Sequence, residues 1–262
     1  MSLATGSNLI EIKTPSQLQI MREAGRVVKE LLAVLRGSVQ PGVTTLELDE
    51  LAHVTLSRLG ARSAFKGYRG YPANICTSVN DEVVHGIPSH RRLRPGDIIG
   101  LDVGSIVDGY YSDAAITLPV GEVSAEVKEL LEVTEEALMK GIGQARAGNR
   151  LSDISNAVQV KVEAHGYSVV REFVGHGIGT QLHEPPQIPN YGGPGYGPIL
   201  KPGMVLAIEP MVNVGKAGVR VQPDGWTAVT QDGSLSAHFE HTIAVTEGEA
   251  EILTGSRNRI KT

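Results

Sequence analysis

Apolar residues recur at helical spacing in four stretches of the chain. Behind Thr14-Pro15-Ser16, residues Leu18, Met21, Val27, Val28, Leu31, Leu32 and Leu35 follow a period near 3.6, and Pro15 suits a first helical turn. After Pro41-Gly42, residues Leu48, Leu51, Ala52, Leu56 and Leu59 mark one face of a second helix that stops at Gly60. Further helices are expected from Ser124 to Ala145 and from Ser152 to His165, the last closed by Gly166. Residues 73–120 and 168–246 are β-rich instead, and residues 1–11 read as a flexible tail.

Two helices followed by strands therefore occur twice, which suggests an internal repeat. Gly42 and Gly148, and likewise Gly60 and Gly166, stand 106 positions apart at matching helix boundaries. Arg94-Pro95-Gly96 leads through an apolar strand to Asp102, as Lys201-Pro202-Gly203 leads to Glu209, 107 positions later. Asp113-Ala-Ala-Ile116 corresponds to Glu240-His-Thr-Ile243 at a larger offset of 127. Pro-Gly before a strand is common punctuation, yet several matched points at one spacing favour a duplicated α+β half, over about 12–120 and 121–254.

Composition narrows the class. The 262 residues hold 31 glycines, one cysteine and eleven aromatics, so the core is mostly aliphatic. Lone Cys76 excludes an internal disulfide and a cysteine-built zinc ribbon, and it suits a reducing compartment. A net charge of −5 leaves no basic field for general nucleic-acid or anionic-membrane binding. No stretch has the length of a membrane span, and Met1 to Asn8 show no signal-peptide core. A cytoplasmic monomer is the expectation.

Strands ending in carboxylates carry the first chemical signal, because a buried charge must be paired or hold a metal. Residues Ile98 to Leu118 read as a hairpin turning at Asp108-Gly109, a type I′ composition. That turn sets Asp102 opposite Ala115 and Asp113 opposite Gly104, so the two aspartates share a face as diagonal neighbours. Carboxylates so placed repel unless a cation lies between them. The alternative is a different register, with Asp113 an exposed loop carboxylate. The second half adds His176 in Phe173-Val-Gly-His-Gly-Ile-Gly179, His183-Glu184-Pro185, Glu209 and Glu240, while His85 lies in Val84-His-Gly-Ile-Pro88. Glycines around these histidines are expected to let backbone approach whatever the imidazoles touch.

Together, Cys76-Thr-Ser-Val-Asn80, His85-Gly-Ile-Pro88, Asp102-Val-Gly104, Asp113, Gly175-His-Gly-Ile-Gly179, His183-Glu-Pro185, Glu209-Pro-Met211, Trp226 and Phe239-Glu-His-Thr242 resemble the type I methionine aminopeptidases. The resemblance spans about residues 12–254, in family order. It implies a pita-bread fold: one α+β catalytic domain of two pseudo-twofold halves, with a central antiparallel sheet and outer helices. It also implies two divalent cations (Co, Mn, Fe or Zn) held by Asp102, Asp113, His176, Glu209 and Glu240. A hydroxide bridging them would attack the peptide bond after an N-terminal methionine.

By the same resemblance Glu209 relays the proton, His183 donates to the carbonyl oxygen, and His85 assists the leaving nitrogen. Phe65, Tyr68, Tyr71, Cys76, Leu182 and Trp226 would line the methionine pocket together with His85 and His183. The substrates implied are nascent polypeptides and peptides with a small second residue, which suggests work near the ribosome although no basic tail supports docking there. His238 departs from the glutamine common among relatives; it is either a donor behind the metal site or a solvated imidazole. Two rival readings remain: a proline-specific peptidase on the same fold, which generally carries a large N-terminal domain not seen here, and a non-catalytic binding module, which loses the metal ligands retained here.

Overall fold

A computed structural model of the chain describes residues 9–255. Of the expected tail, residues 1–8 lie outside the described residues; beyond them Ile10 packs on the core and Glu11 pairs with Lys13. Helix α1 (Pro15–Arg36) starts at Thr14, whose hydroxyl accepts from Gln17 N while Gln17 Oε1 accepts from Thr14 N at 2.7 Å. Helix α2 (Thr45–Arg58) opens on the same reciprocal cap through Thr44 and Glu47. Helices α3 (Ala125–Gln144) and α4 (Leu151–Glu163) form the second pair. The fourth ends two residues earlier than expected, Ala164 serving as its cap.

The repeat is written in the backbone. Gly42 and Gly148 have φ of +94° and +91°, Gly60 and Gly166 +70° and +78°, and Gly96 and Gly203 +91° and +88°. Each pair marks the same boundary in its half with the same left-handed turn, a conformation glycine adopts without a Cβ penalty.

The central strands are antiparallel. In the first half Ile98–Val107 pairs with Tyr110–Pro119 in the expected register, Asp102 against Ala115 and Gly104 against Asp113. Asp108 and Gly109 both have positive φ, +46° and +81°, which the type I′ turn requires. Cys76–Val79 pairs on the other edge of Ile98–Val107, setting Cys76 against Asp102. In the second half Val205–Ile208 lies between His241–Ala244 and Gly175–Gly177, with Glu184–Ile188 outside the latter.

A seam joins the halves. Glu240 N donates to Ala115 O at 2.8 Å, and Thr242 Oγ1 both donates to Asp113 O (2.7 Å) and accepts from Asp113 N (3.0 Å). The seam thus brings the strand bearing Asp113 beside the strand bearing Glu240. One large apolar cluster draws on all four helices and both halves, from Val27 through Leu130 and Val158 to Ala250. A smaller cluster containing Met21, Phe65, Tyr71, Cys76, Ile178 and Leu182 forms the wall of the site. Phe239, next to Glu240 in the chain, packs in the large cluster.

Candidate metal centre and pocket

All thirteen residues expected at the site line one pocket of about 290 Å³, from Phe65 at one wall to Glu240 at its floor. Asp102 and Asp113 enter from the first-half hairpin, and Glu209 and Glu240 from the ends of facing second-half strands. His176 joins from Gly175–Gly177, where its Nδ1–H donates to Gly177 O at 2.9 Å. That bond leaves the Nε2 lone pair turned into the pocket, the orientation a backbone carbonyl on the other ring nitrogen imposes on metal-binding histidines. Asp113, His176 and Glu240 each present one ligand atom within 4.8 Å of the other two, and His176 Nε2 lies 3.4 Å from Glu209 Oε1.

These acids are under electrostatic stress. Burial pushes Asp102 up to about 7. Burial, reinforced by the neighbouring carboxylates, pushes Asp113, Glu209 and Glu240 well above the usual range. Asp102 Oδ1, Asp113 Oδ1, Glu209 Oε1 and Glu240 Oε1 are buried without a hydrogen-bond partner. Four carboxylates with orphaned oxygens, facing one imidazole lone pair, fit divalent cations chemically; buried charge of this density needs a counter-charge.

The remaining residues build an apolar chamber beside the acids. Tyr71, buried, has its hydroxyl within reach of the carbonyls of Ile75 and Gly86 (3.1 and 3.0 Å), and its ring meets Trp226 edge-on at 5.1 Å. Trp226 is set by Asp224, whose Oδ1 accepts from Trp226 N at 2.8 Å. Burial first, and then Asp102, raises the Cys76 thiol, so it stays protonated and acts as wall. His85 sits at φ +61°, a strained conformation for a bulky residue, with its ring edge-on to Phe173 at 5.4 Å. His183 is exposed at the mouth on one side; on the other its ring packs on Tyr68 and His176, and that partial desolvation, with His176, Arg69 and His85 nearby, lowers its pKa well below the usual value. Tyr68 Oη lies 2.8 Å from His183 Nδ1.

Two features differ from expectation. The glycines of the motifs make room for protein rather than for ligand: a Cβ on Gly177 would strike Pro185 O, one on Gly175 Ala207 O, and one on Gly104 the side chains of Ala64 and Phe65. Sequence reasoning also passed over Arg69, Val84, Val174 and Lys13. The first three line the pocket. Buried Lys13 bonds Glu11 (2.6 Å) and Glu184 (2.7 Å), anchoring the residue after His183. Val84 and Val174 stand within the quoted histidine segments, so adjacency was an available signal for their role; nothing local marked Lys13, which reaches Glu184 across 171 positions. His238, left open between two readings, is buried at the pocket floor rather than solvated.

A carboxylate-rich, imidazole-capped centre beside an apolar chamber, on two fused α+β halves, defines a metallohydrolase of the pita-bread type. The sequence profile of metallopeptidase family M24 matches residues 19–247. Methionine aminopeptidase 1 of Bacillus subtilis is 55% identical over 246 residues, 94% of this chain and 99% of that one. The crystal structure of methionine aminopeptidase from Thermotoga maritima superposes with a TM-score of 0.93 at 50% identity, covering 95% and 100% of the two chains. The chain belongs to metallopeptidase family M24 and, within it, to the bacterial methionine aminopeptidases. The prolidase from Pyrococcus furiosus shares the fold at 23% identity and a TM-score of 0.78, and this chain covers 67% of it. Among the described residues no helix is long and apolar enough to cross a membrane.

Proposed function

We propose that this protein removes the N-terminal methionine from peptides and nascent polypeptides whose second residue is small. The observation that carries the reading is the junction of an apolar chamber with an imidazole and four carboxylates, each of which has one buried oxygen without a hydrogen-bond partner. Asp102, Asp113, His176, Glu209 and Glu240 would hold two divalent cations, drawn from cobalt, manganese, iron and zinc. When bound, such cations supply an acidified water and neutralise developing negative charge.

The chain's own groups would do the rest. Phe65, Tyr68, Tyr71, Cys76, Leu182 and Trp226 enclose the methionine side chain, and sulfur packs well against their rings. Glu209 takes a proton on its carboxylate from the attacking water and passes it on. With Tyr68 O–H donating to Nδ1, His183 carries its proton on Nε2 and donates it as a hydrogen bond to the carbonyl oxygen as charge develops there. His85, neutral because burial lowers its pKa, contacts the scissile nitrogen and assists its departure. The same reading makes the protein a cytoplasmic monomer that meets its substrates as they leave the ribosome. The test is protein reconstituted with cobalt or manganese and given Met-Ala-Ser. Free methionine is expected, with Met-Leu-Ser and an N-acetylated peptide left intact; no release from Met-Ala-Ser sinks the proposal.

A further inference from the structure

His238 occupies a place that the roles above leave without work. Its strand, Ser236–His238, pairs Met211 against His238, which sets it beside the segment that carries Glu209. Its backbone is fixed to the other half: His238 N donates to Thr117 Oγ1 at 2.9 Å, and Thr117 Oγ1 donates to His238 O at 2.8 Å. With the backbone held at both ends and the residue only 4% exposed, the ring has little freedom. Its Nε2 is buried and has no hydrogen-bond partner. That atom lies 4.0 Å from Glu209 Oε2 and 4.0 Å from Glu240 Oε2.

In the metal-loaded protein, where both carboxylates are ionised, a ring nitrogen equidistant from two of their oxygens carries a proton there, because a lone pair aimed at two acceptors is repelled by both. At 4.0 Å neither contact is a formed hydrogen bond, but a small carboxylate rotation closes either one. We propose that His238 is a positioning residue whose Nε2–H is shared between Glu209 and Glu240, steering their other oxygens toward the metal-binding floor. Thr117, on the first-half strand, in turn holds His238, so the seam between the halves is tied to the ligand geometry. The inference rests on the reading that these acids hold metal, and it places His238 behind the ligands rather than among them.

The experiment compares His238→Gln, which keeps an N–H donor at similar reach, with His238→Met, which keeps the volume and loses the donor. Manganese is titrated calorimetrically into the metal-free proteins, with far-ultraviolet circular dichroism as the folding control. Met is expected to weaken binding by about 10–100-fold, the usual effect of losing an outer-shell partner, and Gln to stay within about threefold of wild type. Equal affinities for the two variants, at either level, overturn the inference while leaving the metal centre intact. Absence of any binding by the wild type overturns the metal-centre reading and this inference with it. Long-range ¹H–¹⁵N NMR of the wild-type, zinc-loaded protein gives an answer that depends on no variant. A protonated Nε2 on His238 is expected; an Nε2 that is unprotonated or bound to metal overturns the proposal.

Discussion

In the first half, Asp102 and Asp113 ride a single hairpin of two ten-residue strands closed by two residues, and both lie within its ladder. In the second half Glu209 and Glu240 stand just beyond paired strands, since the ladder runs from Ile208–His241 to Val205–Ala244, and residues 210–239 connect them. The first-half acids are short and held by local closure. The second-half acids are one methylene longer, and Glu240 is secured by the seam, through its N–H to Ala115 O, rather than by its own partner strand. The difference divides the labour: the hairpin supplies a fixed frame, while the second half supplies Glu209, the proposed proton carrier, and three of the four pocket histidines, His176, His183 and His238.

The sharpest way to test that division is to neutralise one acid from each half without changing its shape. Glu209→Gln is expected to lower kcat by about 10³–10⁴ with a small change in KM, the scale of a lost proton-transfer group. Asp102→Asn is expected to act first on metal affinity, so excess metal should recover part of its activity. Equal recovery of both variants by metal would erase the distinction. Next in size, His183→Ala should cost about 10²–10³ in kcat, as for a lost oxyanion donor. Tyr68→Phe, which removes only the partner of His183 Nδ1, should cost less. Steady-state kinetics on Met-Ala-Ser reads all four.

How much of this arrangement was legible follows from the same comparison. The Asp102–Asp113 relation could be read from the chain because a two-residue turn fixes register, and a one-residue slip would have turned each side chain to the other face. The Glu209–Glu240 relation could not be read that way, since no local rule fixes pairing across residues 210–239; there the resemblance carried the assignment. The same holds for Lys13 and Glu184, and for Thr117 and His238, contacts made only when distant segments meet. Motif glycines were legible as special positions but not in their purpose. Sequence shows that a side chain is missing, and only the fold shows that Pro185 O or Ala207 O occupies its space.

Acid stress offers a third test, read as a pH-dependent difference in Tm between wild type and Asp102→Asn. Asp102 has its ordinary value, 3.8, in the unfolded chain and about 7 in the fold. Between those values Asp102 binds more protons in the fold than in the unfolded chain, so its own contribution to the unfolding free energy falls as pH rises, while the buried histidines whose pKa is lowered, His176, His238 and His241 among them, contribute with the opposite sign. The Asp102 contribution is isolated by difference: the stability of metal-free wild type relative to Asp102→Asn should fall from pH 4 to about pH 7. Saturating manganese should reverse that trend, because bound cations need the carboxylates deprotonated. Scanning calorimetry of both proteins from pH 4 to 8, with and without chelator, checks the sign; a metal-free wild type that gains in Tm on Asp102→Asn as pH rises would contradict the assigned stress.

The smallest effect belongs to the turn that makes the first half rigid. Gly109 has φ +81°, and no atom lies within 4 Å of the position a Cβ would take. Gly109→Ala thus adds no clash and tests backbone conformation alone, at about 1–2 kcal/mol for a left-handed L-residue. Tm should fall by only a few degrees. If the hairpin is the fixed frame, the ladder should hold its register, and the diagonal Asp102–Asp113 relation with it, so metal affinity should stay within about twofold of wild type. Gly104→Ala is the counter-case in the same hairpin. There a Cβ would lie 2.7 Å from Ala64 Cβ and 2.9 Å from the Phe65 ring, directly opposite Asp113. Overpacking of that kind costs about 1–3 kcal/mol and pushes the pocket wall. It should therefore raise KM for the methionyl peptide as well as lower Tm. A turn variant that disturbed KM as much as Gly104→Ala would mean that the first half is not a rigid frame, and that its acids are held in place by the bound cations instead.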